Sequence, residues 1–128
     1  MRVFPFAGLA GATALLLLAG CGDDAPDPAE VLKLDYRLGF EAMQAHDFAK
    51  AAQYFEDAAK QAPDDPYVAL NQGVAYQKLG AFDKARAAYQ LAIKTGQGVR
   101  PARVTDPHYS GRTVAELAAD DLASLPPP

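Results

Sequence analysis

An internal repeat constrains this chain more than any other feature, because residues 39–58 recur 34 positions further along. A glycine, a ring, a small residue, a second ring and a second small residue return in the same order and at the same spacing. The matched pairs are Gly39 and Gly73, Phe48 and Phe82, Ala51 and Ala85, Phe55 and Tyr89, and Ala58 and Ala92. A fixed period of this length is typical of repeat architectures, whose units bury their apolar faces against one another.

The spacing Gly-x8-aromatic-x2-Ala-x3-aromatic-x2-Ala, present in both copies, resembles the tetratricopeptide repeat, a helix-turn-helix unit. The resemblance implies an all-α fold, with two such repeats over residues 30–96 forming a short α-solenoid. It also implies a protein-binding scaffold, and it leaves the partner unnamed. Arrays of this kind usually need about three units for stability, so a further element is expected to cover the second repeat.

Capping signals place the start of the first helix. Asp27 can cap it, Pro28 suits its first turn, and Glu30 stands where the acid of a capping box belongs. The turn after this helix is predicted at His46, where most family members have glycine because the turn often needs a left-handed residue. The buried stripe of the helix is predicted from apolar residues at helical spacing, namely Val31, Leu34, Leu38, Ala42 and Ala45.

The sequence predicts three more repeat helices, over residues 48–62, 66–79 and 82–95. Pro63 ends the first of these, and Asp65 with Pro66 caps and starts the next. The second copy lacks a matching proline at its end, so the array is expected to stop at Gly96. The predicted buried face of the helix over residues 48–62 consists of Phe48, Ala51, Ala52, Phe55, Ala58 and Ala59.

A closing helix is predicted over residues 113–125, because Thr113 and Glu116 have the spacing of a capping box. Its apolar face, expected to cover the second repeat, consists of Val114, Leu117, Ala118, Leu122 and Leu125. Residues 97–112 form a long irregular connection that carries Arg100, Arg103 and Arg112. These arginines either contribute to binding an acidic partner or simply solvate the loop.

The first 20 residues are predicted to be a signal peptide. Arg2 is followed by an apolar stretch that ends at Cys21, and Leu18-Ala19-Gly20-Cys21 resembles the lipobox of bacterial lipoproteins. That resemblance implies cleavage before Cys21 and lipidation of its thiol. Two alternatives remain: an uncleaved anchor helix over residues 3–22, which is just long enough to span a bilayer, or an incidental cysteine.

Residues 21–29 are predicted to be a flexible tether, because they contain two prolines, three acids and no large apolar side chain. A lipidated chain would lie on the periplasmic side of the cell envelope. An acid directly after the cysteine tends to retain lipoproteins in the inner membrane of enteric bacteria. Gly22 stands at that place here, which favours the outer membrane over the inner membrane.

The family resemblance also implies a concave groove lined by the first helix of each repeat, which binds a partner protein or peptide. The matching residues are Lys33, Tyr36, Phe40, Met43, Gln44, Tyr67, Leu70, Asn71, Val74, Gln77 and Lys78. Tyr36, Phe40 and Met43 form a second apolar stripe on the first helix. This stripe either faces a partner or is covered by the tether, the closing helix or a second copy of the chain.

Catalytic, metal and cofactor sites are not predicted. Ser110 and Ser124 lack the context of a nucleophile, and His46 and His108 lack metal-ligand spacing. A net charge of −4 without a basic cluster argues against nucleic acid binding. The sequence is therefore interpreted as an envelope lipoprotein acting as an adaptor or assembly factor, with possible roles in outer-membrane, pilus or secretion complexes. The alternative is a structural lipoprotein that forms a homo-oligomer through its own grooves.

Overall fold

The computed structural model describes residues 26–101 and 110–128. Within these ranges the chain forms five α-helices and no strand, which confirms the all-α prediction. The helices are α1 (Pro28–Gln44), α2 (Phe48–Gln61), α3 (Pro66–Leu79), α4 (Phe82–Thr95) and α5 (Val114–Ser124). Each helix packs on the next along the chain, and α5 also contacts α3. The architecture is two stacked helical hairpins closed by a fifth helix.

Aspartate side chains cap the first helix of each hairpin. The Asp27 carboxylate accepts the Ala29 N–H at 2.8 Å, and the Asp65 carboxylate accepts the N–H groups of Tyr67 and Val68 at 2.8 and 3.1 Å. These bonds satisfy amide groups that a helix start otherwise leaves unpaired. The predicted capping-box role of Glu30 is wrong, because its carboxylate accepts from Lys33 instead.

The cores of the two hairpins are built alike, with one buried ring under one glycine. The rings of Phe55 and Tyr89 are fully buried. A β-carbon added to Gly39 would lie 2.6 Å from the Phe55 ring, and one added to Gly73 would lie 2.5 Å from the Tyr89 ring. Only glycine lets the helix backbone approach the ring this closely, and this contact is the physical reason for the 34-residue recurrence.

The predicted buried stripe of α1 is largely wrong. Ala42 is buried, but Leu34 is 44% exposed and Ala45 is also exposed, while Val31 and Leu38 are half-buried. Helical periodicity placed these residues correctly on one side of α1. That side is only partly covered because no helix precedes α1 among the described residues, and the helix instead buries the face centred on its glycine against α2.

The closing helix forms as predicted. Glu116 N–H donates to Thr113 Oγ1 at 3.2 Å and Thr113 N–H donates to Glu116 Oε2 at 2.7 Å, which completes the capping box. The hydrogen bonds that the Glu116 carboxylate accepts from the Thr113 N–H and from the Thr113 hydroxyl lower the pKa of Glu116. Most of the apolar face of α5 is buried against the second hairpin, where α5 packs on α4 and also contacts α3.

The turn between α1 and α2 holds His46 in the left-handed region, at φ 59°. That conformation costs a non-glycine residue about 1–2 kcal/mol. We expect His46→Gly to raise the free energy of unfolding by about 0.5 kcal/mol, because the greater freedom of glycine in the unfolded chain offsets part of the gain. Loss of the ring contact with Phe48, at 5.7 Å between centroids, offsets a further part.

Urea denaturation followed by circular dichroism measures this change, and the neighbouring residue supplies the control. Ala45 is exposed and has φ −77°, so Ala45→Gly relieves no strain and is expected to destabilise the protein by about 0.5–1 kcal/mol. Equal destabilisation by both glycines would contradict the assignment of strain to His46.

Candidate functional site: the face shared by α1 and α3

Two of the predicted groove residues, one from each hairpin, contact each other in the structure. The Asn71 side-chain amide on α3 donates to the Tyr36 hydroxyl on α1 at 2.9 Å. The same amide nitrogen donates to the Tyr67 backbone oxygen at 2.7 Å, which fixes the orientation of the Asn71 side chain. We call the eleven predicted groove residues the groove face.

Side chains of the groove face differ in exposure. Lys33, Phe40, Gln44 and Lys78 are exposed. The others are half-buried, and they are Tyr36, Met43, Tyr67, Leu70, Asn71, Val74 and Gln77. The half-buried apolar members pack against the core cluster, so most of the second apolar stripe of α1 supports the fold as well as lining a surface.

Phe40 is the main apolar side chain that the groove face offers to solvent, with 40% of its surface exposed. Its ring lies 5.0 Å from the Tyr36 ring and 5.9 Å from the Phe55 ring, in edge-to-face arrangements. Tyr36 in turn lies 5.9 Å from Phe55. Three mutually packed rings therefore hold Phe40 in place, which lowers the side-chain entropy that Phe40 would lose when a partner docks against it.

The polar centre of the groove face is the pair of Tyr36 and Asn71, which keeps one donor and one acceptor available for a ligand. Among the described residues, no donor reaches Asn71 Oδ1 and no acceptor reaches the hydroxyl hydrogen of Tyr36. Burial, followed by the negative charge of Asp65, raises the pKa of Tyr36, so its phenol stays protonated and able to donate at neutral pH. A donor and an acceptor side by side match the C=O and N–H groups of a peptide backbone.

The part of the chain that follows α4, which we call the C-terminal segment, borders the groove face along α3. The Tyr67 hydroxyl donates to the Arg100 backbone oxygen at 2.9 Å, near the start of α3. At the other end, the Gln77 side-chain amide donates to Ser124 Oγ at 3.1 Å and its oxygen accepts from the Tyr89 hydroxyl at 2.6 Å. Tyr67 and Gln77 thus have structural roles that their positions in the repeat did not predict.

Two of the three connecting-loop arginines bind within the molecule. Arg100 Nε donates to the Gly111 backbone oxygen at 3.2 Å, and Arg112 forms an ion pair with Asp120 at 2.5 Å. Arg103 lies outside the described residues. These contacts favour the structural interpretation of Arg100 and Arg112 over binding of an acidic partner.

A polar cluster that the sequence did not predict joins α2, α3 and α4. The Tyr76 hydroxyl donates to the Glu56 carboxylate, and Lys84 Nζ lies 5.2 Å from the Tyr76 ring centroid and 4.0 Å from that carboxylate. Burial and the hydrogen bond to Glu56 raise the pKa of Tyr76 to about 12. The cluster lines a shallow, open depression and ties three helices together. Tyr76 and Lys84 belong to one hairpin and Glu56 belongs to the other, so only the stacking of the hairpins brings all three together.

The signal peptide and Cys21 lie outside the described residues, so their prediction is not tested. In residues 26–101 and 110–128, no helix combines the length and the apolarity needed to cross a bilayer. Within the same two ranges, no three side chains of His, Cys, Asp or Glu are grouped as metal ligands would be.

Comparison with known families assigns the repeats. A family model described as Tetratricopeptide repeat matches residues 36–99, which is half of the chain and includes both pairs of buried ring and glycine. No match was found among curated proteins or solved structures. Tetratricopeptide repeats are typically non-catalytic modules that bind other proteins or peptides. The matched repeats and the stacked hairpins together show that this chain belongs to the tetratricopeptide-repeat family.

Proposed function

We propose that this protein is a lipid-anchored adaptor of the bacterial cell envelope, whose groove face binds a peptide segment of another envelope protein. The observation that carries the binding half of the proposal is the pairing of Tyr36 and Asn71. Their spare donor and acceptor lie between apolar side chains of both hairpins. A peptide segment laid across them would gain backbone hydrogen bonds at the centre and apolar contacts at the sides.

Apolar contacts on either side of this polar centre support a peptide ligand over a small polar ligand. Phe40 and Met43 lie on the α1 side, and Leu70 and Val74 lie on the α3 side. Methionine adapts its shape to different side chains, and a held aromatic ring provides a large contact area. Such a surface suits an extended peptide or the apolar face of a helix.

The anchoring half of the proposal is supported by the sequence around Cys21. An apolar stretch, a lipobox-like tetrapeptide and an acidic, proline-containing tether occur in that order before α1. Two or more acyl chains hold a protein stably on a membrane surface, whereas one chain does not. Gly22 after the cysteine favours the outer membrane, facing the periplasm, and assembly of an outer-membrane, pilus or secretion complex would suit such a location.

The binding proposal is tested by co-purification from detergent-solubilised membranes, with two phenylalanines of matched exposure. Phe40 is 40% exposed on the groove face, and Phe82 is 38% exposed at the start of α4, outside it. We expect Phe40→Ala to weaken binding of the co-purifying protein by about tenfold or more, as truncation of an aromatic anchor does. Phe82→Ala is expected to leave binding unchanged.

Equal losses from both variants, or retention by both, would contradict the groove face as the binding surface. Tyr36→Phe refines the test, because it keeps the ring and removes the hydroxyl, which accepts from Asn71 and would donate to the bound peptide. Mass measurement in detergent distinguishes the alternative function. A strict homodimer without another bound protein, dissociated by Phe40→Ala, would identify a self-associating lipoprotein and not an adaptor.

The anchoring proposal is tested by the intact mass of the mature protein and by its distribution between membrane and soluble fractions. We expect a chain that begins at Cys21 and carries acyl groups, and we expect Cys21→Ser to lose both processing and stable membrane attachment. A protein that keeps Met1 and an unmodified thiol would contradict the lipid anchor.

A further inference from the structure

Within residues 26–101 and 110–128, one side of α1 leaves apolar side chains only partly covered. We call Val31, Leu34 and Leu38 the α1 edge, since they lie together at helical spacing on the side where the stack of hairpins begins. Leu34 is 44% exposed, whereas Val68, its counterpart 34 positions later, is only 2% exposed. The difference arises because α2 packs over α3, while no described helix packs over this side of α1.

Charged side chains beside the α1 edge limit what can cover it. Glu41 follows Leu38 by three residues on the same side of α1, and its counterpart Ala75 is fully buried. A helix packed on α1 as α2 packs on α3 would bury the Glu41 carboxylate together with its partner Arg37, at 2.6 Å. Burying that ion pair would cost much of what the leucines gain. The edge therefore suits a surface that takes up apolar side chains and leaves charges hydrated.

A lipid–water interface has both properties. Leucine and valine side chains enter the boundary between headgroups and acyl chains, while flanking charged groups stay in the hydrated headgroup layer. Four of the charges beside the α1 edge form ion pairs, since Lys33 pairs with Glu30 at 2.9 Å and Arg37 pairs with Glu41. Asp27 caps α1 and Asp35 accepts from Gln61, so the edge keeps two negative charges, which a zwitterionic surface does not repel as an anionic surface would.

The proposed anchor places the α1 edge close to such a surface. Seven residue steps separate Cys21 from Pro28, so the start of α1 can lie at most about 25 Å from the acylated residue. A short tether raises the effective concentration of the edge at the membrane to about the millimolar range. A patch of three side chains, too small to recruit a free protein to lipid, is then sufficient to set the orientation of an anchored one.

We propose that the α1 edge rests in the headgroup region of the membrane to which Cys21 is anchored. The inference rests on the proposed lipid anchor and extends it. The anchored protein lies with one end of its stack against the lipid, and the groove face, on the opposite side of α1, remains accessible to a partner in the periplasm.

Single-tryptophan variants test this orientation, because the chain contains no tryptophan of its own. Leu34→Trp places the fluorophore in the α1 edge. Leu79→Trp is the matched control, since Leu79 is 45% exposed at the far end of α3. Each full-length lipidated variant is reconstituted in phosphatidylcholine vesicles with and without brominated phosphatidylcholine. We expect bromine quenching at position 34 to exceed that at position 79 by about twofold or more, with emission shifted to the blue.

Equal quenching at the two positions would overturn the inference. A blue shift at position 34 without quenching would overturn it as well, because a second copy of the chain or another protein would then cover the edge. Intact mass separates this outcome from failure of the lipid anchor. If Cys21 proves unmodified, its thiol is coupled to a maleimide-bearing lipid in the same vesicles, and the two tryptophan positions are compared on that anchored chain.

Discussion

Replacing Tyr89 with alanine is expected to lower the free energy of unfolding by about 3–5 kcal/mol, the range found when a buried aromatic side chain is removed. The Tyr89 ring is fully buried, and Gly73 lies directly over it. Because the surrounding α3 and α4 backbones cannot close the space fully, a cavity remains in addition to the lost apolar burial. A loss of this size is most of the stability of a domain this small.

Urea denaturation followed by circular dichroism measures the change, with Phe82→Ala as the control. Phe82 is also a ring at a recurring position, but it is 38% exposed, so its removal is expected to cost only about 1 kcal/mol. Tyr89→Phe keeps the ring and removes the hydroxyl that donates to Gln77, which should cost about 1 kcal/mol. If Tyr89→Ala and Phe82→Ala proved equally mild, the second hairpin would not be organised around the buried ring.

The contact between Gly73 and Tyr89 shows which part of the fold could be predicted from the sequence. Gly73 and Tyr89 contact each other within one hairpin, so this contact fixes the number of residues between them. The same holds for Gly39 and Phe55 in the first hairpin. A contact between residues of one repeat leaves a repeated pattern, and that pattern was sufficient to predict the helices and the burial of Phe55. Phe48, predicted on the same buried face, is only half-buried.

Which side of α1 is buried could not be predicted in the same way. Periodicity shows that Leu34 and Leu38 share a side of the helix, but not whether another element lies over that side. Val68 and Leu34 occupy equivalent positions and differ twentyfold in exposure, at 2% and 44%. The cause is their place in the stack, since one hairpin has a predecessor and the other has none in the described part of the chain.

The groove face was predicted as a set of positions, and its chemistry was not. The bond from Asn71 to the Tyr36 hydroxyl joins two hairpins, so it depends on how they stack. The bonds from Tyr67 and Gln77 to the C-terminal segment depend on how α5 docks. The connection between α4 and α5 breaks the 34-residue period, so no spacing in the sequence records those contacts.

Docking of α5 depends on a close approach between the backbones of Gly96 and Ala115. We expect Gly96→Ala to destabilise the protein by about 2–3 kcal/mol, the range found when a packed contact is overfilled. An added β-carbon would lie 2.6 Å from the Ala92 backbone oxygen and 2.9 Å from both the Ala115 nitrogen and Val114 Cβ. Two of these are backbone atoms held by hydrogen bonds, so they cannot move aside as a flexible side chain would. The φ of Gly96 is −91°, which alanine adopts freely, so the cost comes from the contact alone.

Hydrogen exchange of the α5 amides, together with urea denaturation, distinguishes local release of α5 from general loss of stability. We expect α5 in Gly96→Ala to exchange much faster than α3 and α4, because the added methyl group separates α4 from the start of α5. Gly98→Ala is the control. Gly98 has φ 73° and open space around its β-position, so that variant should cost about 1 kcal/mol through backbone strain and leave α5 protected. Uniformly faster exchange across α3, α4 and α5 in Gly96→Ala would mean that the second hairpin cannot stay folded without its closing helix. Protection of α5 equal to that in the unaltered protein would contradict docking through Gly96.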